Sequence, residues 1–283
     1  MTIVVERETA VSSITITTGD GINSEEYVIS DDAEEQKKCE AILAALSSEE
    51  IAAMPDKNMP LRHLRAEDGD VGKAVAKITS TLKWRKEFGV EEIISGGDDM
   101  MKMLHVENAT GKTYARGYDA EGRAILYLKP GLENTKDERN QMRHLVYNLE
   151  RSIASSKKKS CGKVEKLSIL IDYEGFSLWN SPPLSTTKET LNILQNHYPE
   201  RMHHAYLCNP PGYFSVFWSM AKPFIDPVTK EKVVFCKGTT GMQKVKEAFP
   251  NLEKLEVCAG GKASRNFDSK EYLSSDFAST FDE

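Results

Sequence analysis

Apolar residues recur at helical spacing through the early part of the chain and at strand spacing later, and that change of period divides the sequence. Behind Asp32, the positions Ile42, Leu43 and Leu46 predict a first helix, and Ser47 with Glu50 forms a capping-box pattern for a short second one. The clearest helix runs from Asp70 to about Phe88. There Val71, Ala74, Val75, Ile78 and Leu82 trace one face, Asp70 supplies an N-cap oxygen, Trp84 widens the buried side and Gly89 stops the helix. From Lys112 the period shortens. Thr113 to Tyr118 and Arg123 to Leu128, joined through Asp119, Glu121 and Gly122, read as a β-hairpin. Thr135 with Glu138 repeats the capping-box pattern, and Met142, Leu145, Val146, Leu149 and Ile153 form the core stripe of a long helix ending at Lys157, Lys158 and Lys159. Val164 to Ile171 is nearly continuous in apolar character, as in a strand covered on both faces. A helix from Leu184 to His197, strands from Ala205 to Cys208 and from Lys232 to Cys236, a helix from Met242 to Phe249 and a short strand near Val257 complete the rhythm. Such alternation predicts an α/β fold with a mostly parallel sheet and crossover helices. The organisation expected is a polar, flexible tail over 1–32, a helical lobe over 33–106, an α/β lobe over 107–263 and a mobile acidic tail over 264–283.

One segment departs from ordinary amphipathicity. Gly212 to Phe224 is predicted helical, with Pro210 and Pro211 ahead of it and Pro223 near its end. On a helical wheel Phe214, Phe217, Ala221 and Phe224 make one apolar stripe, Val216, Met220 and Pro223 a second, and Tyr213 and Trp218 add to them. A surface helix has one such stripe. This one calls for apolar contact on more than one side.

Composition narrows the classes. The chain has 283 residues, 40% hydrophobic and 28% charged, with a net charge of −6; these values fit a globular protein and argue against a general nucleic-acid binder. Five cysteines without a CxxC pair predict neither a disulfide framework nor a zinc site, and fit a reducing compartment. No secretory signal is read at the N-terminus, and the apolar runs fall short of the roughly 20 residues a membrane span needs. No nucleophile stands beside a base, so an enzyme is not expected. Adjacent His203 and His204 are expected on opposite faces of a strand, which excludes joint metal ligation. Gly111, Lys112 and Thr113 imitate the end of a P-loop, but Val106 stands where its first glycine belongs. Glu200, Arg201 and Lys232 are the sharpest polar candidates. A guanidinium fork, an ammonium and a carboxylate together suit a polyhydroxylated phosphate; a structural ion pair between Glu200 and Arg201 is the plainer alternative.

The runs LRHLRAEDGDVGKAV, LKWRKEFGV, DAEGRAILYL, NHYPERM, NPPGYFSVFWSMAKPFIDP and the late GGK, in that order from about Leu61 to Lys262, resemble the CRAL-TRIO lipid-binding family of the yeast Sec14 type. The resemblance implies a helical N-terminal lobe and a mixed, mostly parallel sheet flooring an apolar lipid cavity closed by a gate helix. It implies a cytosolic, monomeric protein that contacts membranes transiently and carries a phospholipid, phosphatidylinositol foremost, in support of phosphoinositide signalling. Bound phospholipid would be a ligand, and no cofactor is expected. By resemblance Glu200 and Lys232 hold the headgroup, Arg201 supports that site, Leu167, Ile169, Ile171, Ala205, Leu207 and Val233 line the cavity, and Phe214, Phe217, Phe224 and Ile225 belong to the gate. The alternative is a scaffold of the same fold that binds a signalling partner such as a small GTPase.

Departures from the family pattern bear on the ligand. Phosphatidylinositol-binding members have a basic pair where this chain has Glu67 and Asp68. Replacing a cation by an anion some 8 Å from a phosphodiester changes the interaction by about 4 kcal/mol at an effective dielectric of roughly 20. Arg62, Arg65 or Lys230 compensates, or the ligand differs. The positions that recognise choline in other members are Leu167, Ile169, Ala115 and Leu126 here, which removes that recognition and leaves a more apolar wall.

Overall fold

The computed structural model describes residues 2–8, 11–17, 25–28, 32–177 and 183–283. It divides into one unit of residues 1–88 with 195–200, and a second of 89–194 with 201–283. The boundary falls at Phe88, earlier than the expected 106, and the stretch 195–200 returns to the first unit.

In the first unit, the backbone of β1 (Thr2–Glu8), β2 (Val11–Thr17) and β3 (Glu25–Val28) pairs as an antiparallel sheet in that order. This departs from the flexible tail expected over 1–32. Alternation is the physical reason: the register sets Ile3 opposite Ile16 and Val5 opposite Ile14, so β-branched residues recur in pairs. Residues 1, 9–10, 18–24 and 29–31 of that span lie outside the described residues.

Helices α1 (Ala33–Ala45), α2 (Ser48–Ala52), α3 (Met59–Ala66) and α4 (Val71–Phe88) follow. Asp32 caps α1 by accepting from the amides of Glu34 and Glu35, and Ser47 with Glu50 forms a complete capping box for α2. Asp70 accepts from the Lys73 amide at 3.0 Å at the start of α4. The apolar stripes meet in one core of Cys39, Ile42, Leu46, Met59, Leu64, Ala74 and Ile78. Trp84 stacks on His197 with centroids 4.1 Å apart and planes within 6°, which ties the returning stretch to α4.

In the second unit come α5 (Val90–Ser95), α6 (Asp98–Glu107), the hairpin β4 (Thr113–Tyr118) and β5 (Ala124–Leu128), α7 (Glu138–Lys159), β6 (Leu167–Asp172), α8 (Leu184–Asn192), β7 (Met202–Cys208), α9 (Phe214–Ala221), α10 (Pro227–Glu231), β8 (Val233–Phe235), α11 (Gly238–Ala248) and α12 (Ser269–Ser274). The sheet order is β4-β5-β6-β7-β8. The hairpin is antiparallel and the other pairs are parallel. Gly117, at φ +65°, sits in the irregularity between Ala115 and Tyr118, a left-handed position that a β-bulge takes most readily with glycine. In the late GGK motif a side-chain carbon on Gly261 would lie 1.9 Å from the Leu255 carbonyl oxygen, so only glycine fits there.

Helix α7 packs on β4, β5 and α5 and is buried on most of its circumference. Its apolar stripe faces the core. Its buried serines are satisfied internally: the hydroxyls of Ser152, Ser155 and Ser156 donate to carbonyls one turn back at 2.7–2.8 Å, and Ser156 accepts from the Ala124 amide. Small hydroxyl residues therefore let strand and helix approach without orphaned polar groups. The helix is capped by Asp137, which accepts from the Asn140 amide, and not by the expected Thr135–Glu138 box.

The span 264–283 is not the mobile tail expected. Tyr272, Leu273 and Phe281 are buried, and Arg116 bridges to Phe281 in the backbone. Arg151 of α7, with no solvent exposure, donates to the Tyr272 carbonyl at 2.6 Å, the Ser275 hydroxyl at 2.6 Å and the Ser279 carbonyl at 3.0 Å, and its guanidinium lies 3.7 Å from the Tyr272 ring centroid. Two buried aromatic residues and a leucine in an otherwise polar stretch are enough to dock it. Near Val257 the expected strand is a single 3-10 turn, Val257–Ala259, beside an isolated bridge between Glu256 and Ala263. No helix of the described residues is long and apolar enough to cross a membrane.

Tyr272 offers a test of this docking. Its hydroxyl donates to Asn148 Oδ1 at 2.8 Å and accepts from the Ala115 amide at 3.0 Å. Tyr272→Ala should lower the unfolding free energy by about 3–5 kcal/mol, and Tyr272→Phe by about 1–3 kcal/mol, measured by urea unfolding.

Candidate functional site

Alternate residues of β6, β7 and β8 point to one side of the sheet: Ile169 and Ile171, Ala205 and Leu207, and Val233. Helix α9 faces them with Phe217, Trp218 and Ala221, followed by Ile225, and α7 and α8 contribute Met142, Leu145, Thr190 and Leu191. Together these residues line a cavity of about 270 Å³ within the second unit.

Of the positions expected in the wall, Leu167 lies outside it, buried at the start of β6. The pairing of β6 with β7 shifts between Leu167 and Ile169, because β7 carries one extra residue between Met202 and Ala205. The same bulge breaks the alternation of His203 and His204. Their rings meet edge to face at 4.2 Å instead of pointing to opposite faces. Ala115 and Leu126 pair across the hairpin, fully buried, and among the described residues neither lines the cavity.

Helix α9 is shorter than the expected span and ends at Ala221, where Pro223 removes an amide and a 3-10 turn over Lys222–Phe224 changes the phase. Its inner residues are held by aromatic contacts that sequence patterning did not indicate. Phe214 packs on Tyr173 at 4.6 Å, Phe217 on Phe176 at 5.4 Å and Trp218 on Phe235 at 5.6 Å, and the Tyr213 hydroxyl donates to the Phe176 carbonyl at 2.5 Å. Phe214 thus sits in an aromatic cluster beside the cavity and not in its lining. The outer side keeps Val216 at 55%, Met220 at 45% and Phe224 at 43% exposure, the last with Lys188 Nζ 4.5 Å from its ring. Phe224 therefore faces outward, away from the inner stripe on which the wheel had put it.

At one end the cavity turns polar. Lys112 is buried, with its ammonium 2.5 Å from Glu107 and 2.6 Å from Glu133, and it also donates to the Thr135 hydroxyl at 3.3 Å. This pairing occupies the lysine of the P-loop-like run and also takes the Thr135 side chain that would have capped α7. Beside it His144 Nε2 lies 2.9 Å from Asn108 Oδ1, and burial followed by the Lys112 charge lowers its pKa to about 3. The ring is neutral at physiological pH.

The polar candidates fall into separate units. Arg201 is buried in the second unit and donates to the Glu165 carboxylate at 3.0 Å and the Glu165 carbonyl at 3.1 Å. Lys232 ends α10 there, half-buried, with its carbonyl accepting from the Ala205 amide at 3.0 Å; the next residue, Val233, is in the cavity wall. Its charge helps hold the Asp226 carboxyl below the usual range, behind larger contributions from burial, which opposes the shift, and from hydrogen bonds at Thr229. Glu200 belongs to the first unit and takes a left-handed backbone, φ 56°. In that unit Arg65 is gripped by both oxygens of Glu35 at 2.8 and 2.7 Å, Arg62 pairs with Asp56 at 2.7 Å, and Glu67 pairs with Lys77 at 2.7 Å. The two arginines expected to offset Glu67 and Asp68 thus already carry carboxylate partners.

A family model for the CRAL/TRIO domain matches residues 108–261. Among curated relatives, a CRAL-TRIO domain-containing protein of Schizosaccharomyces pombe is 42% identical over 62% of this chain and 16% of its own length. The phosphatidylinositol transfer protein PDR17 of Saccharomyces cerevisiae is 35% identical over 62% of this chain and 51% of its own length. The SEC14 cytosolic factor of Eremothecium gossypii is 33% identical over 74% of this chain and 70% of its own. The chain therefore spans about half or less of the length of the first two relatives. Among solved structures, Sfh5 aligns with a TM-score of 0.52 at 20% identity, covering 64% of this chain and 65% of its own, a likeness of fold.

The neutral His144 predicts a pH dependence. Its folded pKa of about 3 lies below the ordinary 6.5, so between those values the unfolded chain binds the extra proton and stability falls as pH falls. His144→Leu should lack a slope of about 1.4 kcal/mol per pH unit between roughly pH 6 and 4, measured as the difference between the two proteins' unfolding free energies at each pH.

Proposed function

The chain belongs to the CRAL/TRIO domain family, and we propose that it binds and transfers a phospholipid, phosphatidylinositol foremost, between membranes. The observation that carries this reading is an apolar cavity roofed by a helix that is apolar on both sides. Phe217, Trp218 and Ala221 line the cavity, while Val216 and Met220 of the same helix are exposed. A helix of that kind has a use for apolar surroundings inside and outside: acyl chains under it when shut, and bilayer around it when displaced.

At about 270 Å³ the cavity is at the bottom of the roughly 300–1,000 Å³ range of small-molecule sites. Two acyl chains need more, so loading requires α9 and the turn after it to move outward. Each methylene that leaves the bilayer must recover about 0.8 kcal/mol of apolar contact. The wall formed by Ile169, Ile171, Leu207, Val233 and Ile225 supplies contact of that kind. The protein acts by sequestration, without making or breaking bonds. Lys232, adjacent to the wall, contacts the headgroup phosphate, and Glu200 is a separate headgroup contact carried by the first unit; Arg201, paired with Glu165, supports the backbone between them in sequence. The chain's likeness to the phosphatidylinositol transfer protein PDR17 and to the SEC14 cytosolic factor supports phosphatidylinositol as cargo and the cytosol as the place of action.

Native mass spectrometry of the purified protein should find a phospholipid retained, and a protein recovered free of lipid under conditions that preserve known lipid complexes rejects the reading. Lys232→Ala should reduce phosphatidylinositol transfer between vesicles about tenfold, the order expected on removing one charge-assisted hydrogen bond, with the urea midpoint unchanged; equal transfer removes Lys232 from the site. Phe217→Asp should abolish exchange, and unchanged exchange rejects α9 as the gate.

A further inference from the structure

Away from the cavity, three of the five cysteines converge. Cys208 ends β7, Cys236 directly follows β8, and Cys258 lies in the 3-10 turn Val257–Ala259. Strands β7 and β8 are parallel with Leu207 opposite Phe235, and the Cys236 amide donates to the Leu207 carbonyl at 2.9 Å. Carrying that register one residue further sets Cys208 against Cys236, on the sheet face opposite Leu207. Neighbouring strands lie about 4.8 Å apart, within the roughly 4.4–6.8 Å Cα separation that a disulfide accepts. Cys236 and then Cys258, as near neighbours, push the Cys208 thiol above its ordinary range.

Their place in the chain gives the contact its meaning. Cys208 directly precedes and Cys236 directly follows residues 209–235, the segment that holds α9, its exposed apolar side and α10. Strand β8 is short and stands at the sheet edge, so its backbone pairs with a neighbour, β7, on one side only. We propose that Cys208 and Cys236 are a peroxide-responsive dithiol, and that its oxidation staples together the two ends of the segment carrying α9.

The chemistry balances with hydrogen peroxide as oxidant. The Cys236 sulfur attacks one peroxide oxygen, breaking the O–O bond and becoming a sulfenic acid as water leaves. The Cys208 sulfur then displaces the sulfenic hydroxyl, which leaves as a second water, and the S–S bond forms. Two thiols and one peroxide give one disulfide and two waters; the sulfurs lose two electrons and the peroxide gains them. The order of attack follows from access and charge. Cys236 is half-buried while Cys208 has no exposure, and hydrogen bonding from the Cys208 thiol holds Cys236 below the usual thiol range while raising Cys208.

The test uses the full chain. After treatment with hydrogen peroxide, free thiols are blocked with iodoacetamide and the disulfides mapped by peptide mass spectrometry. A Cys208–Cys236 bond should dominate, vanish on adding dithiothreitol, persist in Cys258→Ser and be absent from Cys236→Ser, with Cys236→Ala as the second variant if serine perturbs folding. Amide hydrogen exchange at Val234, Phe235 and Cys236 should slow by at least about tenfold on oxidation, because the edge strand no longer frays. All three thiols remaining alkylatable, Cys208 paired instead with Cys258, or unchanged exchange in the oxidised protein each overturns the proposal. None of these readings uses a lipid, so they stand or fall apart from the transfer function.

Discussion

A buried sheet must be covered, and here two parts of the cover differ in kind. Over β4 and β5, α7 closes tightly, its serines bonding back to their own helix and its Arg151 saturated by the carbonyls and hydroxyl of the C-terminal segment. Over β6, β7 and β8, the sheet and α9 are held apart around about 270 Å³ that the protein's own side chains do not fill. At about 24 cal/mol per Å³, a cavity of that size costs on the order of 6 kcal/mol relative to a filled core. That is comparable with the whole stability of an ordinary domain. The tight packing of α7 and the docked C-terminal segment is what allows that open space to exist.

The cost is also a driving force. Apolar matter entering the cavity restores the contacts its lining lacks, while the polar end, closed by Lys112 between Glu107 and Glu133, keeps its charges paired among themselves. The roof is held by ring contacts of Tyr173, Phe176 and Phe235 with Phe214, Phe217 and Trp218, each worth about 0.5–1.5 kcal/mol beyond burial. Contacts of this size hold a helix firmly at rest and release it when an alternative apolar environment offers equivalent burial. Its exposed Val216 and Met220 make such an environment available from outside.

Much of the local structure was legible because its causes are local. The box of Ser47 and Glu50, the Asp32 and Asp70 caps and the apolar stripes of α4 and α7 each involve residues within a turn or two of one another. The same pattern failed at Thr135 and Glu138, where the hydroxyl is drawn into the Lys112 cluster by residues far away in sequence. The C-terminal stretch misled for a related reason. Its composition is polar and acidic, but Tyr272 and Phe281 find cover that only the folded hairpin and α7 provide. Alternation along β6 and β7 marked Ile169, Ile171, Ala205 and Leu207 as one side of a sheet. It misplaced the two histidines, since a bulge is decided by pairing between strands, and Leu167, which begins β6 and lies outside the cavity wall.

By itself the sequence determined the longer helices, the strands of the five-stranded mixed sheet and a helix with two apolar sides, because spacing of three to four or of two residues records which side of an element avoids water. Tertiary structure alone decided that a cavity remains under that helix, which rings hold the helix, that Arg62 and Arg65 are already paired, and that Cys208 and Cys236 are neighbours. Each depends on distances between residues remote in the chain, and the burial of an element carries no information about whether the space beside it is filled.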